Sequence, residues 1–290
     1  MDDRIYQKYA TLIYAQSGIN LGETKKELVR ARVAKRMHTL GLSDYQDYYE
    51  YVVHDPDPKK EELSHLLDAI STHVTSFFRE KGHFDFMAST VKECFKAGQR
   101  TFRFWSAGCS SGEEPYSLAI TILDALGQPL SLTSGDRGRG EGACKEEKFL
   151  DVKILATDIS RQILSKARQG IYEKQKLIAI PGQEGKYFRP LGGGSTSGNG
   201  LMEVQDFVRK MVVFNYLNLQ GEEYPFRGPM DAIFCRNVMI YFDDQGRRRV
   251  IDRFRRLLRV EGYLLIGHSE SLLGMADGFR YVQPSVYQKM

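Results

Sequence analysis

No stretch of this 290-residue chain approaches the roughly 20 consecutive apolar residues that a membrane helix requires, so a helical membrane span is not expected. Cysteine is scarce. Cys94, Cys109, Cys144 and Cys235 lie far apart and form no CxxC pair, which argues against a zinc knuckle and a disulfide framework and leaves four free thiols. Charge of either sign is not in excess: 41 Lys and Arg against 37 Asp and Glu give +4, too mild a balance to indicate a nucleic-acid partner. The amino-terminal residues Met-Asp-Asp-Arg-Ile-Tyr are acidic and have no apolar core, so no secretion signal is expected and the protein is placed in the cytoplasm. Internal repeats are missing as well.

What is present is the composition of a soluble globular protein, 42% hydrophobic and 27% charged, with a length that suits one small and one larger domain. Residues 1–90 carry helical periodicity and no convincing strand. Val29, Val33, Met37 and Leu40 recur at helical spacing up to Gly41. Ser43-Asp44 caps a second helix bearing Tyr45, Tyr48, Tyr49 and Val52, and a third follows Asp55-Pro-Asp-Pro58 with Leu63, Leu66, Leu67 and Ile70 on one face. From residue 91 to residue 290, strand-like runs alternate with helical ones: 102–106 then 115–126, 152–156 then 160–169, 231–235 then 244–259, with 262–266 and a last strand near Val286. This alternation predicts an α/β fold, a doubly wound and mostly parallel sheet whose ligand lies at the carboxyl ends of the strands. Two stretches interrupt it. Residues 127–148 read as a loop, and residues 171–215 as a small inserted β subdomain with a hairpin tip at Leu191-Gly-Gly-Gly-Ser-Thr-Ser-Gly-Asn-Gly200.

The first strand runs into Ser106-Ala-Gly-Cys-Ser-Ser-Gly-Glu-Glu-Pro-Tyr-Ser117, which puts Gly108 and Gly112 in the turn to a helix. Glycines there let backbone approach a ligand closely. The GxGxxG spacing is absent, and Glu113 and Glu114 at the helix start would repel a pyrophosphate, so an uncharged or cationic ligand fits better. At the end of the second strand, Asp158 either accepts hydrogen bonds from the two hydroxyls of a ribose or merely caps the next helix. Glycines, no phosphate clamp and a ribose-binding acid together point to S-adenosylmethionine.

Several blocks in one order carry a more specific likeness: Ser17-Gly-Ile-Asn-Leu21, Thr75-Ser-Phe-Phe-Arg-Glu80 with His83-Phe84, Gly112-Glu-Glu-Pro-Tyr-Ser117, Ala156-Thr-Asp-Ile159, Asn218-Leu219, Cys235-Arg-Asn-Val-Met-Ile-Tyr-Phe242 and Gly-His-Ser-Glu at 267–270. Through them the chain resembles the CheR-type chemotaxis receptor methyltransferases over nearly its whole length. The resemblance implies a class I S-adenosylmethionine-dependent methyltransferase with an N-terminal all-helical domain, esterifying glutamates on methyl-accepting chemotaxis receptors. It carries over a cofactor set of Thr75, Arg79, Glu114, Asp158, Asn218, Leu219, Arg236 and Asn237, with Gly108 in the turn; Glu114 is preferred to Glu113 in the tandem pair. Where the family often has Asn, two residues before the threonine, this chain has His73.

Physical reasons stand beside the likeness. Arg79 offers a planar fork for the methionyl carboxylate, or else a structural salt bridge. Asn218 and Asn237 offer both donor and acceptor. Tyr241 either orients the incoming carboxylate through its hydroxyl or is an ordinary buried tyrosine. A glutamate acceptor is already ionised at neutral pH, so neither a metal nor a covalent intermediate is needed. On a helix starting near Thr24, Lys25, Arg32, Lys35 and Arg36 fall within an arc of roughly 100° and form a basic ridge suited to an acidic receptor bundle, unless they are simply solvated. A monomer that neither enters the membrane nor binds nucleic acid is expected. The rivals are a nicotinamide-dependent oxidoreductase on a similar sheet and a non-catalytic receptor-binding adaptor.

Overall fold

The structure is a computed structural model describing residues 1–54, 61–127, 150–180, 184–191 and 200–290. The loop expected at 127–148 lies outside these residues from 128 on, as do Asp55-Pro-Asp-Pro58 and most of the glycine-rich tip.

The helical part consists of α1 (Asp3–Ser17), α2 (Lys26–Leu40), α3 (Tyr45–Val53) and α4 (Glu61–Ile70). Asp44 caps α3 by accepting from the backbone N–H of Gln46 and Asp47. The apolar stripes meet in one core that includes Tyr9, Val29, Val33, Tyr48 and Leu66, each fully buried. A polar knot sits at its edge: the buried Glu62 carboxylate accepts from Arg36 Nε (3.0 Å) and Nη2 (2.6 Å) and from the Tyr48 hydroxyl (2.7 Å).

Helix α5 (Gly82–Lys96) spans the expected division at residue 90, and its buried Phe84, Met87 and Val91 belong to the core of the sheet. There follow β1 (Thr101–Ala107), α6 (Glu113–Leu126), β2 (Asp151–Asp158), α7 (Arg161–Gln169), β3 (Ile171–Glu173), α8 (Glu184–Tyr187), β4 (Phe188–Pro190), β5 (Leu201–Val204), α9 (Asp206–Arg209), β6 (Val212–Tyr216), β7 (Met230–Cys235), α10 (Asp244–Leu257), β8 (Leu258–Ile266), β9 (Phe279–Gln283) and β10 (Val286–Lys289). The main sheet has seven strands in the order β6-β2-β1-β7-β8-β10-β9. Neighbours from β6 to β8 are parallel, and β10 is antiparallel to both β8 and β9. The strand order reverses between β1 and β7, which makes their carboxyl ends the crevice where a doubly wound sheet binds its ligand.

Three expectations change in detail. Val212–Tyr216, read as part of the insert, pairs parallel with β2 and is the edge of the main sheet, so the inserted sheet is β3-β5-β4 alone. The helix expected to run to Arg259 stops at Leu257, because Leu258 pairs with Met230 and begins β8. A strand at Phe279–Gln283, unforeseen, pairs with β10.

Candidate active site

A pocket opens at the carboxyl ends of β1, β2, β6 and β7, and the helical part closes its far wall with Ser17, Leu21, Lys25 and Leu28. After β1 the backbone turns through Gly108, Ser110 and Gly112, all at positive φ (87°, 49° and 96°). A Cβ on Gly108 would stand 2.4 Å from Val238 Cγ2, so glycine is what lets this wall of the pocket form.

Asp158 ends β2 buried. Its Oδ2 accepts the Ser110 N–H and its Oδ1 the Ser160 N–H, both at 2.9 Å, so one carboxylate ties together the turns after β1 and β2. The cap of α7 is Ser160, whose Oγ accepts the Ile163 N–H at 3.0 Å. Asp158 therefore orients the capping residue without being the cap, and each of its oxygens keeps a lone pair for another donor. Burial pushes its carboxyl up, opposed by the two backbone N–H groups.

The two glutamates that open α6 point apart. Glu113 is buried, takes a hydrogen bond from Lys176 Nζ at 3.1 Å and does not line the pocket. Glu114 does line it. Its Oε1 accepts from Ser106 Oγ (2.7 Å) and its Oε2 from Arg236 Nη1 (3.1 Å), while burial pushes the carboxyl up. The Arg236 guanidinium is itself buried and bound on every side: Glu114, Glu80 Oε2 from Nε (3.3 Å) and Nη2 (3.0 Å), and the Arg79 carbonyl. Burial pushes the Glu80 carboxyl up, but Arg236 and the His268 N–H outweigh it and hold the group low.

Arg79 lines the pocket with a different allegiance. Nη1 donates to the Val74 carbonyl at 3.0 Å, and the side chain has no ion pair among the described residues. The structural salt bridge weighed for it is therefore not formed among them. His73, Thr75, Asn218, Leu219, Asn237 and Tyr241 also line the pocket. Asn218 spends its amide on structure, donating to the Gln16 carbonyl (2.9 Å) and accepting the Gln220 N–H (2.8 Å). Asn237 Oδ1 and His73 Nε2 are buried with no hydrogen-bond partner among the described residues.

Sequence reasoning missed two organisers, Glu80 and Glu270. Glu270 takes N–H bonds from Gly267 (2.6 Å), Asn237 (2.9 Å), Val238 (3.1 Å) and Ile240 (3.2 Å). It thereby holds Asn237 at φ 60° and shapes the loop that carries Tyr241. Both glutamates lie in recognisable blocks, but nothing in a residue's identity says that Glu80 meets a guanidinium 156 residues away or that Glu270 is held by backbone amides.

Glu80, His83 and His268 bring ligand-type atoms within 4.8 Å of one another. The Glu80 carboxylate is already taken up by Arg236, so a cation placed there would face a guanidinium. His83 has a testable consequence. Burial, reinforced by Arg236 and opposed by Glu80, pushes its imidazole down to about 4 from the ordinary 6.5. Between those values the unfolded chain takes up a proton that the folded one refuses, so stability falls as pH drops, by about 3 kcal/mol once pH is below 4. Urea midpoints measured from pH 7 to pH 4 should fall more steeply for the native chain than for His83→Gln; parallel slopes would contradict this.

The basic ridge divides. Lys25 precedes α2 in a 3-10 turn, off the helical arc, and its ammonium lies 5.0 Å from the Tyr241 ring centroid at the pocket. Arg32 donates to the Ala69 carbonyl, Arg36 is held by Glu62, and Lys35 is exposed.

Residues 4–71 match the family model described as CheR methyltransferase, all-alpha domain, and residues 73–134 and 141–288 match CheR methyltransferase, SAM binding domain. The chain is 36% identical over 284 residues to the chemotaxis protein methyltransferase of Borreliella burgdorferi, covering 96% of this chain and 91% of that protein. It is 36% identical to chemotaxis protein methyltransferase 2 of Pseudomonas aeruginosa, covering 97% and 91%, and 34% identical to the chemotaxis protein methyltransferase of Escherichia coli, covering 99% and 91%.

Proposed function

We infer, from the premise that this chain belongs to the CheR methyltransferase family, that it moves the methyl group of S-adenosylmethionine onto glutamate side chains of chemotaxis receptors, forming methyl esters. The observation that carries the reading is a set of polar groups in one pocket that are uncommitted among the described residues: Arg79 with no anion, Asn237 Oδ1 and His73 Nε2 buried without partners, and spare lone pairs on Asp158. A nucleoside with an amino-acid tail is their complement. Arg79 takes the methionyl carboxylate, Asp158 the ribose hydroxyls, and Asn237 Oδ1 an N–H of the cofactor, with His73 beside it as a further polar contact. Gly108 allows close approach, and Leu219 and Thr75 pack the sides. Glu114 and Arg236 serve as a fixed wall; Asn218 braces the rim, and Glu113 acts from behind α6.

S-adenosylmethionine supplies a methyl already activated on a sulfonium. The chain has then to hold it, exclude water and align an acceptor oxygen in line, a task that supplies several kcal/mol through proximity alone. With a pKa near 4.3 the acceptor glutamate is ionised at neutral pH, so no general base is required. The Tyr241 hydroxyl, unbonded among the described residues, orients that carboxylate, with Lys25 beside its ring as a cation at the mouth. Lys35, and behind it Arg32 and Arg36, face the receptor. No helix among the described residues is long and apolar enough to cross a membrane.

The test is calorimetric titration with S-adenosylhomocysteine and with NAD, followed by transfer of labelled methyl to receptor cytoplasmic domains. Tight S-adenosylhomocysteine binding and base-labile label are expected. NAD binding alone would reject the assignment; cofactor binding without labile ester would favour a non-catalytic adaptor.

A further inference from the structure

Helix α10 carries Arg247, Arg248, Arg249, Arg253, Arg255 and Arg256 against two aspartates, a net charge of +4 that equals the net charge of the entire chain. Two of these arginines are spent locally. Arg253 donates to the carbonyls of Leu219 and Glu222, both at 3.1 Å, and Arg247 pairs with Asp244. The other four fall within an arc of about 120° at 100° per residue, as two pairs seven residues and about 10.5 Å apart along the axis. Arg248 and Arg256 are exposed and have neither ion pair nor hydrogen bond among the described residues. Arg249 touches Gln220 Oε1 (3.1 Å) and lies beside the Tyr14 hydroxyl and the Asp243 carboxylate that the hydroxyl donates to, and Asp252 reaches Arg255 at 3.8 Å. The face therefore carries positive charge that the carboxylates beside it offset only in part.

Its place matters as much as its charge. Tyr241 and Phe242 line the pocket, and Asp243, the next residue, caps α10 by accepting the Gly246 N–H. The arginine face therefore begins within two turns of the pocket wall.

We propose that this face docks an acidic helical segment of the methyl-accepting protein, flanking the glutamate that enters the pocket; the inference rests on the function proposed above. A helix laid along α10 presents the same side every seven residues, the spacing of the arginine pairs. Arginine is also the side chain whose planar fork suits carboxylates. A lipid surface fits less well, because Gln245 and Asp252 lie between the arginines where an interfacial helix would need apolar residues. One consequence is selectivity: each ester formed removes a negative charge from the docked segment, so the face holds unmodified substrate more strongly than modified.

The experiment uses the full chain with Arg248→Glu and Arg256→Glu together, measuring kcat and KM for a receptor cytoplasmic fragment at low and high salt, alongside S-adenosylhomocysteine calorimetry. KM should rise about tenfold at low salt and less at high salt, as expected for screened charges. The value of kcat and the affinity for S-adenosylhomocysteine should stay unchanged. A KM within twofold of the native value at both salt concentrations overturns the proposal. So does loss of binding to phosphatidylglycerol vesicles with KM unaltered, which would assign the face to lipid. If the native chain transfers no methyl to the receptor, the underlying function fails, and that outcome is separate from these.

Discussion

Arg79→Ala is expected to weaken S-adenosylhomocysteine binding about 100-fold without unfolding the protein. Of the cations that line the pocket, Arg236 is consumed by Glu80 and Glu114, and Lys25 lies over the Tyr241 ring. Arg79 alone among the three combines a position inside the cavity with a guanidinium that, among the described residues, is tied only to a carbonyl. A charged hydrogen bond is worth about 1.5–3 kcal/mol, and a bidentate pair in a site shielded from water lies at the upper end or above it. Because Arg79 supports no buried carboxylate, its removal should shift the melting temperature little. Arg79→Lys keeps the charge but loses the fork, so it should recover only part of the affinity. Calorimetry on the three proteins decides the matter. Native affinity in Arg79→Ala would mean that the amino-acid end of the cofactor is held elsewhere.

Arg236→Ala should act in the opposite manner, through stability first. Removing this guanidinium strands two carboxylates, Glu80 and Glu114, around a space from which water is largely shut out. Breaking a buried pair from one side costs about 3–5 kcal/mol. In a protein of this size that is a fall of roughly 10 °C in melting temperature. Replacing the three together, Arg236→Met with Glu80→Gln and Glu114→Gln, should restore most of the stability, since no charge is then left uncompensated. Cofactor affinity should not return in full, because the Arg79 backbone loses the guanidinium that its carbonyl accepts from. A melting point for Arg236→Ala within 2 °C of native would show that water enters the cluster freely. Arg236, which the family likeness carries over among the cofactor contacts, lines the pocket while bound by Glu80, Glu114 and the Arg79 carbonyl.

These expectations draw on two sources that were legible to different degrees. The helices and most strands could be read from apolar period and caps: Asp44 does cap the helix its sequence announced, whereas α7 is capped by Ser160 and not by Asp158, the residue weighed for it. Ends were harder. Arg-Leu-Leu-Arg at 256–259 favours helix locally, yet Leu258 finds its partner in Met230, twenty-eight residues away, and the ladder wins. Val212-Val-Phe214 reads as strand in either place, and alternation alone does not say whether its neighbour is β2 or the inserted sheet. The tandem Glu113-Glu114 could not be resolved in sequence because adjacent helical residues differ by 100°. The packing of α6 sends one toward Lys176 and the other toward Ser106 and Arg236.

The sequence by itself determined the class of the molecule. Alternating strands and helices, a glycine turn without a phosphate clamp, an acid at the second strand end and a series of ordered blocks are all local, and local patterns follow from backbone sterics and side-chain period. Only the tertiary structure decided which charges are free. Whether an arginine meets a ligand or a carboxylate depends on residues as distant as Glu80 from Arg236 or Glu62 from Arg36, and the energy of an ion depends on burial, which no linear spacing encodes.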